Sequence, residues 1–214
     1  MKGDSTIFSK MNSEIISSGA EAIITKEKNF VIKQRIKKGY RIPELDDKIR
    51  KLRTRSESKI LKKAGLIVNI PKVIETDERE KTISMEFIDG LKLSTYLDSF
   101  PLKKQKEVCY QIGETTAKIH KENIIHSDLT TSNMILKDDK VFFIDFGLGF
   151  CNGKYEDKAV DLHLLKQALE AKHFRNWEEL YFQVEKGYLS IEPKEAKKVI
   201  ERLKAVEKRG RYKH

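Results

Sequence analysis

The chain has 214 residues, 39% apolar and 36% charged, with a formal net charge of +10 and a pI near 9.4. That balance excludes a disordered chain and fits one compact domain or two small lobes. No apolar run approaches the ~20 residues needed to cross a bilayer. The opening MKGDSTIFSKMNSE lacks the apolar stretch of a secretory signal, so a cytoplasmic protein without a membrane role is expected. The basic surface would attract a polyanion, although a solvated lysine-rich surface accounts for the charge equally well. Cys109 and Cys151 form no C-x-x-C pair, and the five histidines have no ligand spacing, so neither a disulfide framework nor a zinc site is expected.

Residues 1–11 read as a leader, a linker or a tag. From 12 to 88 the pattern is of short strands interrupted by one helix. Ser13–Ser17 and Ala22–Thr25 flank the loop SSGAEA, Phe30–Gln34 is a β-rich run, and Lys72–Glu75 and Thr82–Phe87 are separated by the charged turn TDEREK. The helix should begin at Pro43 and end before Gly65. Leu45, Ile49, Leu52 and Ile60 follow helical spacing and predict one inward face. From 89 to 214 the character is helical. Leu102–Glu122 carries Val108, Cys109, Ile112 and Ile119 on one side, and Cys109 is expected to be buried there. Short strands at Asn133–Leu136 and Val141–Ile144 flank the polar turn KDDK. Helices follow near Asp157–Lys172, Trp177–Gly187 and Pro193–Arg209. A β-rich front half with one long helix and a helical back half predicts a bilobal α+β fold, with a hinge at Met85–Gly90.

The chemistry is carried by His126-Ser127-Asp128-Leu129-Thr130-Thr131-Ser132-Asn133 followed by Asp145-Phe146-Gly147. The first matches H-x-D-L-x-x-x-N and the second is D-F-G. Alone, either motif is weak; in order, at this separation and bounded by strands, they point to ATP-dependent phosphotransfer. That chemistry needs positioning and charge neutralisation more than covalent catalysis. Asp128 is the expected catalytic base, Asp145 and Asn133 the ligands of Mg2+ on ATP, and His126 a buttress of the loop. In Phe30-Val31-Ile32-Lys33, Lys33 ends an apolar strand and would hold the α/β-phosphates. Glu57, the only acidic residue between Asp47 and the helix end, is its expected partner. An intrahelical pair of Glu57 with Arg53 is the competing reading. Ser18, Gly19 and Ala20 would approach the phosphates. Ile24, Met85, Glu86 and Ile88 are assigned to the nucleotide, with backbone groups of Glu86 and Ile88 on the adenine edge. Asp161 either anchors the catalytic loop through its amides or is a plain helix-start carboxylate. The C-terminal Arg209-Gly210-Arg211-Tyr212-Lys213-His214 combines cations with an aromatic, a pattern that can track nucleic acid.

The segments SSGAEA, VIKQRIKKGYR, RTRSE, MEFIDG, HSDLTTSNMI, IDFGLG, EDKAVDL and RGRYK resemble the small atypical kinase subunit of the KEOPS complex, over nearly the whole chain from Met11. That family lacks both the glycine-rich loop and A-P-E, as does this chain. The resemblance implies a serine/threonine kinase or ATPase supporting tRNA threonylcarbamoyladenosine modification. It implies a direct partner in the threonylcarbamoyl-transferase subunit, contact with other KEOPS subunits, and tRNA contact through Arg209–Lys213. In some archaea kinase and transferase are fused, which would suit residues 1–11 as a junction. Ser127 stands where the family often has glycine. Two other readings are weighed: a small-molecule phosphotransferase of the aminoglycoside-kinase type, for whose acceptor-pocket insert the chain has little room, and a non-enzymatic kinase-like module, against which stands the intact Asp128, Asn133 and Asp145 set.

Overall fold

The computed structural model describes residues 14–210. The expected leader at 1–11, the strand start at Ser13 and the tail residues Arg211, Tyr212, Lys213 and His214 lie outside them. The described residues divide into two compact units, one of residues 14–55 and 72–87, the other of residues 56–71 and 88–210.

In the first unit, runs rich in β-branched residues form β1 (Glu14–Ser18), β2 (Ala22–Glu27), β3 (Phe30–Arg35), β4 (Val73–Asp77) and β5 (Thr82–Glu86). They pair antiparallel in the order β1-β2-β3-β5-β4. The TDEREK turn closes on Asp77, whose Oδ1 accepts the amides of Arg79 at 2.7 Å and Glu80 at 3.0 Å. Alternation along β3 and β5 puts Val31, Lys33, Arg35, Ile83 and Met85 on the buried face.

Helix α1 spans Pro43–Ala64, with Glu44 and Asp46 in its first turn and Lys62 and Lys63 in its last, each sign matched to the helix dipole. Its inward face differs from the expected one. Ile60, Leu61 and Ala64 are buried, but Leu45 and Leu52 are each 50% exposed. The fully buried positions in the first twelve residues of the helix are polar, Asp46 and Thr54. Ion pairing decides this. Asp46 accepts from Arg50 Nε at 2.7 Å and from the Lys38 amide at 3.3 Å, while Arg55 forks onto Glu78 with two 2.6 Å bonds. Satisfying a buried carboxylate outweighs burying two leucines, because an unpaired charge there would cost more than their transfer returns.

The second unit opens with β6 (Leu91–Lys92) and α2 (Leu93–Tyr96), then α3 (Leu102–Lys121), β7 (Ile124–Ile125), β8 (Met134–Lys137), β9 (Lys140–Phe143) and β10 (Phe150–Cys151). Three helices follow, α4 (Tyr155–Lys172), α5 (Trp177–Ser190) and α6 (Pro193–Gly210). Val108, Cys109, Ile112 and Ile119 of α3 are fully buried, as the apolar stripe predicts. Burial, with the Asp98 charge nearby, pushes the Cys109 thiol up to about 12, so it is an inert packing group.

Helices α3 and α5 meet at a glycine pair. A Cβ on Gly113 would lie 2.0 Å from the Val184 carbonyl oxygen, and one on Gly187 2.0 Å from that of Tyr110. Backbone cannot rotate away as a side chain can. Gly113→Ala is therefore expected to cost about 3 kcal/mol, at the upper end of overpacking effects. Urea denaturation checks this, and an unchanged midpoint would mean the helices separate freely. Among the described residues no helix is long and apolar enough to cross a membrane.

Candidate active site

The catalytic motifs are brought together by two short ladders. Strand β7 pairs with β10, Ile125 opposite Phe150 and Ile124 opposite Cys151, so the entry to residues 126–133 lies beside the exit from D-F-G. Strands β8 and β9 form a hairpin with Lys137 opposite Lys140. Its two-residue loop, Asp138–Asp139, takes positive φ at both positions (48° and 58°), the requirement of a type I′ turn. The ladder continues past the strand ends, the Ile144 amide donating to the Asn133 carbonyl at 2.9 Å. Asn133 and Asp145 thus sit at the same end of one hairpin. The Asn133 amide donates to Asp128 twice, to Oδ2 at 2.7 Å and to the carbonyl at 2.9 Å. With its NH2 group so used, the remaining polar atom of the Asn133 side chain is a neutral oxygen acceptor. Asp145 Oδ1 accepts the Gly147 amide at 3.0 Å.

The loop is clamped from behind. Asp161, fully buried, accepts the amides of His126 at 2.7 Å and Ser127 at 2.8 Å. Of the two readings of Asp161, loop anchoring is the one found: the residue lies in the second turn of α4 rather than at its start. The same carboxylate lies 3.2 Å from His120 Nε2, and Tyr188 Oη lies 2.9 Å from His120 Nδ1.

His126 is fully buried, packed on Phe146 with ring centroids 4.5 Å apart. Its Nδ1 lies 3.3 Å from the Asp128 amide, which can only donate, so the ring proton sits on Nε2, 3.1 Å from the Ile144 carbonyl. Burial lowers its pKa below the ordinary value, against the opposing pull of Asp161, which keeps this tautomer neutral. The expected buttress is present. Ser127 and Asp145 both take left-handed backbone, φ 64° and 62°. A left-handed backbone is one that glycine adopts most easily, so these two non-glycine residues mark stored strain at both motifs.

On the first unit's sheet, Lys33 is 6% exposed, opposite Ile24 on β2 and Ile83 on β5, while Met85 lies opposite Val31. Ile24, Lys33 and Met85 therefore share one face. The Glu86 amide donates to the Lys72 carbonyl and that of Phe87 to the Asn29 carbonyl, so both N–H groups are already engaged within the unit. Ile88 is buried and begins the second unit's 88–210 stretch.

Ser18, Gly19 and Ala20 are exposed, and the Gly19 amide closes its own turn on the Ala22 carbonyl at 3.0 Å, so it is not a free donor. No glycine among the described residues has positive φ; the Gly19 turn does not require one. Lys38 donates to the Ala20 carbonyl, and Arg53 to Glu21 at 2.7 Å. Glu57 on α1 is 1% exposed.

Sequence reasoning did not single out His120 or His173, both 2% exposed. The available signal for His120 was a polar residue on the inward stripe of α3, one turn after Thr116.

The protein kinase domain family matches residues 17–162. The chain is 41% identical over 211 residues to the KEOPS complex subunit Bud32 of Pyrococcus abyssi, covering 93% of this chain and 96% of that one. The Bud32 family claims this chain. It is likewise 40% identical over 194 residues to a probable serine/threonine-protein kinase, the Bud32 homolog of Archaeoglobus fulgidus, covering 91% of this chain and 94% of that one. It is 42% identical over 212 residues to the probable bifunctional tRNA threonylcarbamoyladenosine biosynthesis protein of Methanobrevibacter smithii, covering 96% of this chain but 38% of that longer protein. As a Bud32-family protein with a protein kinase domain, the chain is an ATP-dependent enzyme of the protein-kinase type. This decides against the aminoglycoside-kinase reading and the non-enzymatic module.

Proposed function

We propose that this Bud32-family protein uses ATP, as an ATPase or serine/threonine kinase, in support of tRNA threonylcarbamoyladenosine modification in the cytoplasm. It would act within a KEOPS complex, seated directly on the threonylcarbamoyl-transferase subunit. The observation that carries the enzymatic part is the bonding of the Asn133 amide to Asp128, with Asp145 one ladder step away. Among the described residues no cluster of three or more His, Cys, Asp or Glu offers a metal cage. Two hard oxygens, from Asn133 and Asp145, suit Mg2+, which typically takes one or two protein oxygens and completes its shell with phosphate and water. Bound there, the ion would supply neutralisation of phosphate charge.

Asp128 accepts the proton of the attacking hydroxyl or water, and the Asn133 amide holds that carboxylate in place. Lys33, on the buried face of the sheet, grips the phosphates, with Glu57 as the carboxylate that orients it. Backbone of Ser18, Ala20 and, through its turn, Gly19 borders the phosphates. Ile24 and Met85 line the adenine, while the Glu86 carbonyl and Ile88 amide meet its edge. Arg209 and the following Arg211–Lys213 are the tRNA contact. Arg209 bonds Glu156 at 2.7 Å, a surface pair weak enough for a phosphate to displace.

The test is ADP release by the purified chain with magnesium, alone, with the transferase subunit, and with tRNA added. The partner is expected to raise turnover; unchanged output would count against the complex. Removing Arg209–His214 is expected to reduce the tRNA-dependent increment severalfold and basal hydrolysis by less than about twofold. An untouched tRNA response would reduce the tail to a solvated end.

A further inference from the structure

His173 caps the C-terminus of α4 and is 2% exposed. Its ring joins two segments distant in sequence: Nδ1 lies 2.8 Å from Asp98 Oδ1, and Nε2 lies 3.1 Å from Thr131 Oγ1. Asp98 belongs to the 3-10 turn Leu97–Ser99, while Thr131 opens the 3-10 turn Thr131–Asn133 inside the catalytic loop. In a neutral ring facing a carboxylate that can only accept, the proton sits on Nδ1 and Nε2 is left to accept from the Thr131 hydroxyl. Carboxylate, imidazole and hydroxyl stand in the order that activates a nucleophile elsewhere. Here Thr131 is 1% exposed, which withholds its oxygen from any substrate and leaves orientation as its use.

Helix α4 then holds the loop at two points. Asp161 takes the amides of His126 and Ser127, and His173, twelve residues on, takes Thr131. From Asp161 to its end at Lys172 the helix rises about 16 Å, and His173 follows directly as its C-cap, so one rigid rod sets both ends of the strained stretch around Asp128. Thr130, the residue before the downstream turn, makes no side-chain capping bond to it. Asn133 ends this turn, and its amide in turn holds Asp128.

We infer that Asp98, His173 and Thr131 form a relay of positioning residues that sets the angle of Asn133, and through it of Asp128. None of the three would touch reacting atoms. The inference rests on the proposed roles of Asp128 and Asn133. The relay should act on turnover and on the metal, not on grip of the adenine.

Full-length chain assayed for ADP release tests it. Thr131→Val keeps the shape and removes the hydroxyl. It is expected to lower kcat about tenfold at unchanged KM for ATP, and to raise the magnesium concentration for half-maximal rate. Thr131→Ser restores kcat to within about twofold. Asp98→Ala, at a side chain 52% exposed, should lower kcat about threefold, also at unchanged KM. In 15N–1H spectra of the wild type, His173 should carry its proton on Nδ1, whereas His126 carries its own on Nε2. Wild-type kcat in Thr131→Val or Asp98→Ala overturns the relay. So does equal impairment of the valine and serine variants, or a His173 proton on Nε2. Asp128→Asn in the same assay separates the two levels: retained activity there removes the underlying catalytic reading, while its loss beside an active Thr131→Val removes the relay alone.

Discussion

Asp145→Asn is expected to yield a folded protein whose magnesium-dependent ADP release falls about 1,000-fold or more. The substitution isolates charge. Asparagine tolerates the left-handed backbone that Asp145 adopts at φ 62° better than other non-glycine residues do. Its Oδ1 can still accept the Gly147 amide. What disappears is the negative oxygen that a hard divalent ion prefers to a neutral one. The melting temperature should therefore hold while the gain in ATP affinity on adding magnesium, measured against EDTA, is lost. Near-normal turnover would remove Asp145 from the metal site and with it the proposed mechanism.

For Asp161→Asn both stability and rate should fall. The carboxylate serves three donors, the amides of His126 and Ser127 and, in the Nε2–H tautomer, the ring of His120. An amide group offers one oxygen and one NH2, so at least one buried N–H would face another donor. Asp161 is fully buried, and water cannot relieve the conflict. The loss is expected to be about 3 kcal/mol, a melting midpoint lower by about 10 °C for a chain of this size. The freed loop should cost about 100-fold in kcat, since small misplacements of catalytic groups act on that scale. Calorimetry and ADP release on one sample check both, and a midpoint within about a degree of wild type would deny the anchor.

Much of this was legible in the residues. Strand and helix limits read from β-branched runs, Pro43, Gly65 and the apolar stripe of α3 lie within a few positions of those observed. The motif spacing by itself selected Asp128, Asn133 and Asp145. The two-residue strands β6, β7 and β10 were not legible, because so short a run carries no periodicity and exists only through its partner. The exposed Leu45 and Leu52 were misread because helical spacing says that residues share a face but not what that face meets.

The sequence alone determined the order of elements, the phosphotransfer chemistry and the acid groups proposed to serve it, because those depend on local propensity and on residue type at fixed intervals. Tertiary structure decided which buried polar groups support them. Asp161 and His173 on α4, His120 on α3 and the facing Gly113 and Gly187 acquire meaning only from partners dozens of residues away. A hydrogen bond or a close backbone approach is a property of a pair, and no single stretch of chain contains both halves.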